Sequence, residues 1–118
     1  MTEPRAQFEL GVEQAQAIVD AVEKVRGVDS LSGGQFGEVS LFFPKKRIEG
    51  IRRPSPRDDS HIEIHVVADV SAGFPLAEIG DAVREAAQRA CSELTRVDVE
   101  ISDVSGSFRN GSGFGSVR

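Results

Sequence analysis

Three residues that can bind a metal ion or move a proton, His61, Glu63 and His65, occur at every second position of one segment. In an extended strand this spacing places all three side chains on one face. Zinc sites and general acid–base pairs use imidazole and carboxylate groups of this kind. At ~3.3 Å per residue, however, the two histidines lie roughly 13 Å apart, too far to share one ion. We therefore expect a solvated polar face here and no metal site.

Cys91 is the single cysteine of the chain, and it is spaced among the apolar residues Ala87, Ala90 and Leu94. A thiol in apolar surroundings has a raised pKa and behaves as a small hydrophobic group rather than as a nucleophile. We expect it to be a core residue. A single cysteine forms no internal disulfide, so nothing in the cysteine content indicates an oxidising compartment.

Two glycine-rich stretches, residues 33–37 and 111–115, superficially resemble phosphate-binding loops. Neither is expected to open a helix whose N-terminus could bind the phosphate, and no Lys-Ser or Lys-Thr pair follows the first. Asp58 and Asp59 stand near prolines, where they are good turn formers. With no Ser/His/Asp set and no cofactor motif, we predict no catalytic residues and no cofactor. An enzyme remains the minority alternative.

The positive charge of the chain is concentrated between Lys45 and Arg57. This segment contains six basic residues and one acid, a net charge of +5, whereas the whole chain carries −5. Such segregation in an acidic protein indicates a contact surface for an anionic partner. The predicted partner-binding residues are Lys45, Lys46, Arg47, Arg52, Arg53 and Arg57.

Three anionic partners are compatible with this surface: an acidic protein segment, a phospholipid surface and RNA. RNA is the least favoured, because the chain is acidic and Phe42 and Phe43 are the only aromatic residues nearby. No GXXG loop or RNA-binding aromatic motif is present either. Basic side chains on an edge strand also prevent sheets from aggregating, so edge protection is the alternative to any binding function.

The composition is that of one globular domain. The chain has 118 residues, of which 39% are hydrophobic and 28% charged, enough to form a core without metal or disulfide cross-links. Residues 1–5 lack the apolar core of a signal peptide, and no apolar run approaches the ~20 residues that span a bilayer. We expect a cytoplasmic protein.

The order of elements follows from hydrophobic periodicity. Three- and four-residue spacing predicts helices over 12–25 and 75–94, the first ended by Gly27, and alternation predicts strands over 28–31, 61–70 and 97–104. A hairpin over 39–53 would carry the basic residues at its turn, and the Pro/Ser/Asp-rich residues 54–60 would form a loop. Residues 6–10 could add a brief strand.

These elements predict an α+β two-layer sandwich, in which two helices pack on a mixed sheet of four or five strands. Strands 61–70 and 97–104 with the helix between them form a β-α-β unit. We place one domain at 6–104 and a flexible Gly/Ser-rich tail at 105–118. The predicted core contains Ile18, Val22, Val25, Leu41, Phe43, Ile64, Val66, Ile79, Val83, Ala87, Leu94, Val99 and Ile101.

Taken in order, four segments resemble the alkaline-shock protein family of bacterial envelope stress proteins. These are the helix that contains Ile18-Val19 and leads to Val25-Arg26-Gly27-Val28, the strand Ile62–Ala68, the turn Gly73-Phe74-Pro75-Leu76 and the closing strand Val97–Val104. The hairpin Pro44–Ile51 looks like that of actinobacterial members. The resemblance covers residues 8–104, and the tail has no counterpart in the family.

The resemblance implies a non-enzymatic scaffold or interaction protein of the stress response. It also implies a cytoplasmic location, in which a small membrane-anchored partner can hold the protein at the inner face of the membrane. Self-association into a homo-oligomer is part of the same expectation. The family supplies no catalytic residues to transfer.

Overall fold

The computed structural model describes residues 8–106 of the chain. Within these residues lie two α-helices, six β-strands and one short 3-10 helix. Their order is α1 (Val12–Glu23), β1 (Val28–Leu31), β2 (Ser40–Phe43), β3 (Lys46–Glu49), β4 (Ile51–Arg52), β5 (His61–Asp69), the 3-10 helix (Val70–Ala72), α2 (Leu76–Ala90) and β6 (Arg96–Ser105). The fold is α+β, as the sequence predicts.

β5 is the centre of a four-stranded mixed sheet. β6 runs parallel to it along its whole length, from Arg96 opposite His61 to Ser105 opposite Asp69. β1 and β4 both pair with β5 in the antiparallel sense, β1 near its C-terminal end and β4 near its middle. Because β6 occupies one edge of β5, these two short strands must follow one another along the other edge.

His65 lies where β1 and β4 meet. Its backbone N–H donates to the carbonyl of Gly50 at 2.9 Å, and its own carbonyl accepts from the N–H of Ser32 at 2.8 Å. The chain thus leaves the main sheet after Ser32 and returns to it at Gly50. The residues between them form the hairpin of β2 and β3, which is a separate two-stranded sheet.

The predicted hairpin over 39–53 is confirmed for β2 and β3 but is wrong beyond Glu49. The second strand does not continue to Arg53, because Gly50 takes a φ of 101° and redirects the chain into β4. A positive φ of this kind is accessible mainly to glycine. The residues after Gly50 therefore belong to the main sheet and not to the hairpin.

Strict alternation along β5 builds the core, since its even-numbered residues from Ile62 to Ala68 are fully buried. Both helices contribute apolar side chains to the same cluster. Nine predicted core residues are buried, namely Ile18, Val22, Leu41, Ile64, Val66, Ile79, Val83, Ala87 and Leu94. The other four, Val25, Phe43, Val99 and Ile101, are half-buried and pack against the cluster, so the predicted register is confirmed.

The second helix is shorter than predicted. It ends at Ala90, because Cys91 is extended with φ −144° and ψ 98°. Leu94 is buried, but it lies in the connection between α2 and β6 and not in the helix. Leu76, placed by its spacing on the apolar stripe, is 44% exposed because it lies in the first turn.

Residues 8–10 form no strand, although Leu10 is buried against the core. Its backbone N–H instead donates to the Asp59 carboxylate at 2.7 Å. Ser105, the first residue of the predicted tail at 105–118, belongs to β6, and residues 107–118 lie outside the described residues. The predicted limits of the domain stay predictions.

We predict that Gly50→Ala destabilises the protein by about 2–4 kcal/mol. The new Cβ would lie 2.5 Å from Leu31 Cβ, on a backbone with positive φ. The matched control is Gly80→Ala in α2, where a Cβ meets no atom within 4 Å and should stabilise the helix by about 0.5–1 kcal/mol. Urea denaturation of both variants measures the difference, and equal effects would contradict the assigned role of Gly50.

Candidate functional site

The hairpin of β2 and β3 has one apolar and one polar face. Leu41 and Ile48 are paired across the strands and buried. On the opposite face Phe42 is paired with Arg47, and its side chain is 71% exposed. Aromatic and arginine residues are both enriched in protein–protein interfaces.

Three of the six predicted partner-binding residues form ion pairs with carboxylates, one of which (Glu49) lies within the basic segment and two of which (Glu63 and Asp59) lie outside it. Arg47 forms an ion pair with Glu49, Arg52 Nε lies 2.6 Å from Glu63 Oε1, and Arg53 Nη1 lies 3.0 Å from Asp59 Oδ1. The net charge counted along the sequence is therefore partly compensated in three dimensions.

The other three predicted residues, Lys45, Lys46 and Arg57, are exposed and lie in no ion pair with the described residues. Lys46 is in β3, and Lys45 is in the turn before it. The expectation that five of the basic residues share one hairpin is wrong, because Gly50 moves Arg52 into β4 and leaves Arg53 after it. The six predicted partner-binding residues therefore lie on three parts of the chain: the hairpin of β2 and β3, the strand β4 and the loop after β4.

Shallow cavities connect these parts. One of about 300 Å³ is lined by Phe42, Arg52 and Arg53 with neighbouring residues. A second of about 330 Å³ is lined by Arg53, Arg57 and Asp59 among others. Both cavities are lined by Arg53, so Phe42 is connected along the surface to the loop that follows β4. We call Phe42 together with the six predicted basic residues the basic surface.

Asp58 and Asp59 shape the loop beside the basic surface. The Asp58 carboxylate accepts hydrogen bonds from the hydroxyl and the backbone N–H of Ser60, which hold the pKa of Asp58 below its usual value. Asp59 joins Leu10 to Arg53 through its two oxygens. Their positions fit the predicted role of turn formers.

The outer face of the main sheet carries both histidines, each beside carboxylates. His61 Nε2 lies 2.8 Å from Asp98 Oδ2 on β6, and this hydrogen bond is the main cause of a lowered Asp98 pKa. The alternation predicted for residues 61–70 is confirmed, because the polar residues of β5 lie on the face opposite the core. The sequence did not predict that a residue of β6, Asp98, pairs with His61.

The second histidine forms a denser cluster. His65 Nε2 lies 3.0 Å from Glu63 Oε1 and 3.9 Å from Glu100 Oε1, and His65 Nδ1 lies 3.1 Å from the Ser102 hydroxyl. The hydrogen bond from His65, with a further one from Arg52, keeps the pKa of Glu63 low. Among the residues that the structure describes, Glu63, His65 and Glu100 place one potential ligand atom each within 4.8 Å of one another.

Glu100 is absent from the residues predicted from the sequence, because the spacing along one strand does not show which donors lie on its neighbours. The separation of roughly 13 Å between His61 and His65 excludes an ion bound by both, but not an ion bound by one histidine and a carboxylate of the neighbouring strand. The parallel register of β5 and β6 puts Glu100 directly opposite His65. The predicted β-α-β unit indicated that these two strands could pair side by side. It did not determine their register, and the register decides that Glu100 is the neighbour of His65.

Cys91 lies on the other side of the sheet from the histidines. It is 3% exposed and belongs to the core cluster, whereas both histidines alternate with the buried residues of β5. Burial raises the pKa of the Cys91 thiol above its ordinary value. The sheet separates this thiol from both imidazole groups, so they do not form a nucleophile–base pair.

A groove of about 750 Å³ runs between the two helices. Its lining includes the small residues Ala82 and Ala86 and the charged residues Lys24 and Glu78. Arg26 lies over the Phe74 ring, 5.3 Å from the centroid. The described residues that line this groove include no histidine, cysteine or hydroxyl group.

No helix in the described part of the chain is long and apolar enough to cross a membrane. Comparison with protein-family models, with curated proteins and with solved structures finds no match. The resemblance to the alkaline-shock proteins therefore stays a prediction.

We predict that Cys91 of the folded protein reacts with iodoacetamide at neutral pH at least about tenfold more slowly than an exposed thiol, because it is desolvated and its pKa is raised. The control is the double variant Cys91→Ala/Ser92→Cys, which moves the thiol to an exposed neighbouring position. Mass spectrometry of the alkylated protein gives both rates. Equal rates would contradict the burial of this thiol.

Proposed function

We propose that this protein is a non-enzymatic interaction module that binds an acidic protein segment through the basic surface. The observation that carries the proposal is the position of Phe42. It is 71% exposed, it is paired with Arg47, and it lines one cavity with Arg52 and Arg53. Edge protection accounts for charged side chains but not for a large aromatic side chain held in water among them.

The arrangement suits a protein ligand. Aromatic and arginine side chains are enriched among the residues that dominate binding energies. The three arginines near Phe42 form ion pairs with carboxylates, which favour one arrangement of their side chains before a partner arrives. Lys45, Lys46 and Arg57, which form no ion pair with the part of the chain that the structure describes, would attract an acidic segment and orient its approach.

The resemblance to alkaline-shock proteins suggests the setting. We infer a role as a scaffold in the envelope stress response, with the acidic segment belonging to a small membrane-anchored protein. In that case the protein would be cytoplasmic and would be held at the membrane by its partner. An anionic lipid surface is the second source of negative charge that the same residues could contact.

A small RNA-binding module is the second candidate function, and Phe42 favours it as well. Bases of single-stranded RNA stack on exposed aromatic rings and on arginine planes. The acid partners of Arg47, Arg52 and Arg53 reduce the charge available to phosphates, so we place this candidate after the protein ligand.

Reversal of charge at the hairpin tip tests the proposal. We expect Lys45→Glu/Lys46→Glu to weaken binding to a poly-glutamate peptide by roughly tenfold or more, because attraction becomes repulsion. The control is Lys24→Glu/Arg89→Glu, which changes the net charge equally but lies at the helix groove. Fluorescence anisotropy at one fixed salt concentration measures both, since all such contacts weaken with ionic strength.

Three probes separate the candidates: the acidic peptide, vesicles containing phosphatidylglycerol and single-stranded oligouridylate. Tightest binding to the oligonucleotide, lost in the hairpin variant only, would replace the proposed function by RNA binding. If the wild type and the two charge-reversal variants bind every probe equally well, the basic surface has no binding function, and its basic residues serve only to protect the sheet edge. A pull-down from native lysate with the same variants, followed by mass spectrometry, then identifies the physiological partner.

Substitution of Phe42 separates stability from binding. Because its side chain is largely exposed, we expect Phe42→Ala to change stability by less than ~0.5 kcal/mol. Binding of the acidic peptide should weaken by about 1–2 kcal/mol. Phe36→Ala is the matched control, since Phe36 is 86% exposed but lines neither cavity of the basic surface. An equal loss of binding in both variants would contradict the role of Phe42.

A further inference from the structure

We propose that Glu63, His65 and Glu100 form a binding site for a divalent transition-metal ion of the zinc type on the outer face of the main sheet. This site is distinct from the basic surface and does not rest on the function proposed above. Three observations support it: the separations of the donor atoms, the way in which the backbone fixes them, and a hydroxyl group that orients the histidine ring.

The donor atoms have separations that suit one ion. Zinc binds nitrogen and oxygen at about 2.0–2.2 Å, so two ligand atoms of a tetrahedral site are about 3.3–3.5 Å apart. His65 Nε2 is 3.0 Å from Glu63 Oε1 and 3.9 Å from Glu100 Oε1. The Glu100 side chain is 59% exposed, so a small rotation brings its carboxylate to bonding distance.

The backbone holds the three residues in this relation. Glu63 and His65 are two residues apart on β5 and share a face, and Glu100 is the register partner of His65 on β6. The backbone of His65 is fixed on the other edge by Gly50 and Ser32. Ligands on paired strands keep their spacing more precisely than ligands on loops.

Ser102 supplies the orienting contact that metal-bound histidines usually have. Its hydroxyl lies 3.1 Å from His65 Nδ1. If Nδ1 carries the proton and donates it to this hydroxyl, the lone pair of Nε2 points towards the two carboxylates. A metal ion there replaces the proton that otherwise joins Nε2 to Glu63.

Among residues 8–106, Arg52 is the arginine that forms an ion pair with one of these ligands, with Nε 2.6 Å from Glu63 Oε1. Both Arg52 and His65 Nε2 lie against Glu63 Oε1, and this oxygen has two lone pairs, so it can keep the hydrogen bond of Arg52 with one and bind the ion with the other. Ligating carboxylates commonly accept such a second bond. The two glutamates neutralise the charge of the divalent ion, and water is left to complete the coordination.

The donor set also defines the class of ion. One imidazole nitrogen with two carboxylates suits zinc and neighbouring first-row metals. Magnesium and calcium prefer oxygen ligands alone and more of them. We therefore expect the site to bind Zn²⁺ in preference to Mg²⁺ and Ca²⁺.

Isothermal titration of the full-length, untagged and chelator-treated protein with zinc chloride tests the proposal. We expect one Zn²⁺ per chain, with affinity reduced roughly tenfold or more in His65→Gln and in Glu100→Gln. The matched control is His61→Gln, which removes the other histidine of the same strand and should leave the affinity unchanged. Circular dichroism establishes that each variant is folded.

A second readout identifies the ligand atom. In long-range ¹H–¹⁵N spectra, Zn²⁺ should shift the Nε2 resonance of His65 and leave that of His61 in place. Absence of zinc binding by the wild type would overturn the proposal. So would equal affinity in the His65 and His61 variants, or a binding signal at His61 alone. Equal binding of Mg²⁺ and Zn²⁺ would overturn the proposed ion class.

Discussion

One face of β5 is buried along its whole length, at Ile62, Ile64, Val66 and Ala68, and both helices pack against the cluster that these residues form. Burial of one such isoleucine or valine contributes about 1.5–3 kcal/mol. Because the side chains of a strand alternate, a shift of one residue would expose this entire set. The register of β5 therefore constrains the positions of β1, β4 and β6, which all pair with it.

The same constraint creates the polar face of the sheet. Once the even-numbered residues point to the helices, His61, Glu63 and His65 must point outward. The two histidines find partners on β6, which runs parallel to β5 and brings Asp98, Glu100 and Ser102 beside them, whereas Glu63 pairs with His65 and with Arg52 of β4. The metal site that we propose is thus a consequence of core packing, since the residues that bury β5 also fix the spacing of the ligands.

The basic surface has a different origin. The chain leaves the main sheet after Ser32 and returns at Gly50, and the hairpin between these points packs only one face on the core. Its outer face carries Phe42 and Arg47, which are both exposed. Such a projection can change its sequence with little effect on the core, which is why surfaces of this kind carry binding functions.

The sequence by itself determined the helices, the long strand and the core, because hydrophobic periodicity of two or 3.6 residues reports directly on which side chains are buried. It also located the basic residues, whose types and positions need no structure. Only the tertiary structure decided that Gly50 divides the predicted strand, that carboxylates pair with three of the arginines, and that Glu100 lies beside His65. Each of these depends on contacts between residues distant in sequence, and local periodicity contains no information about the register between strands.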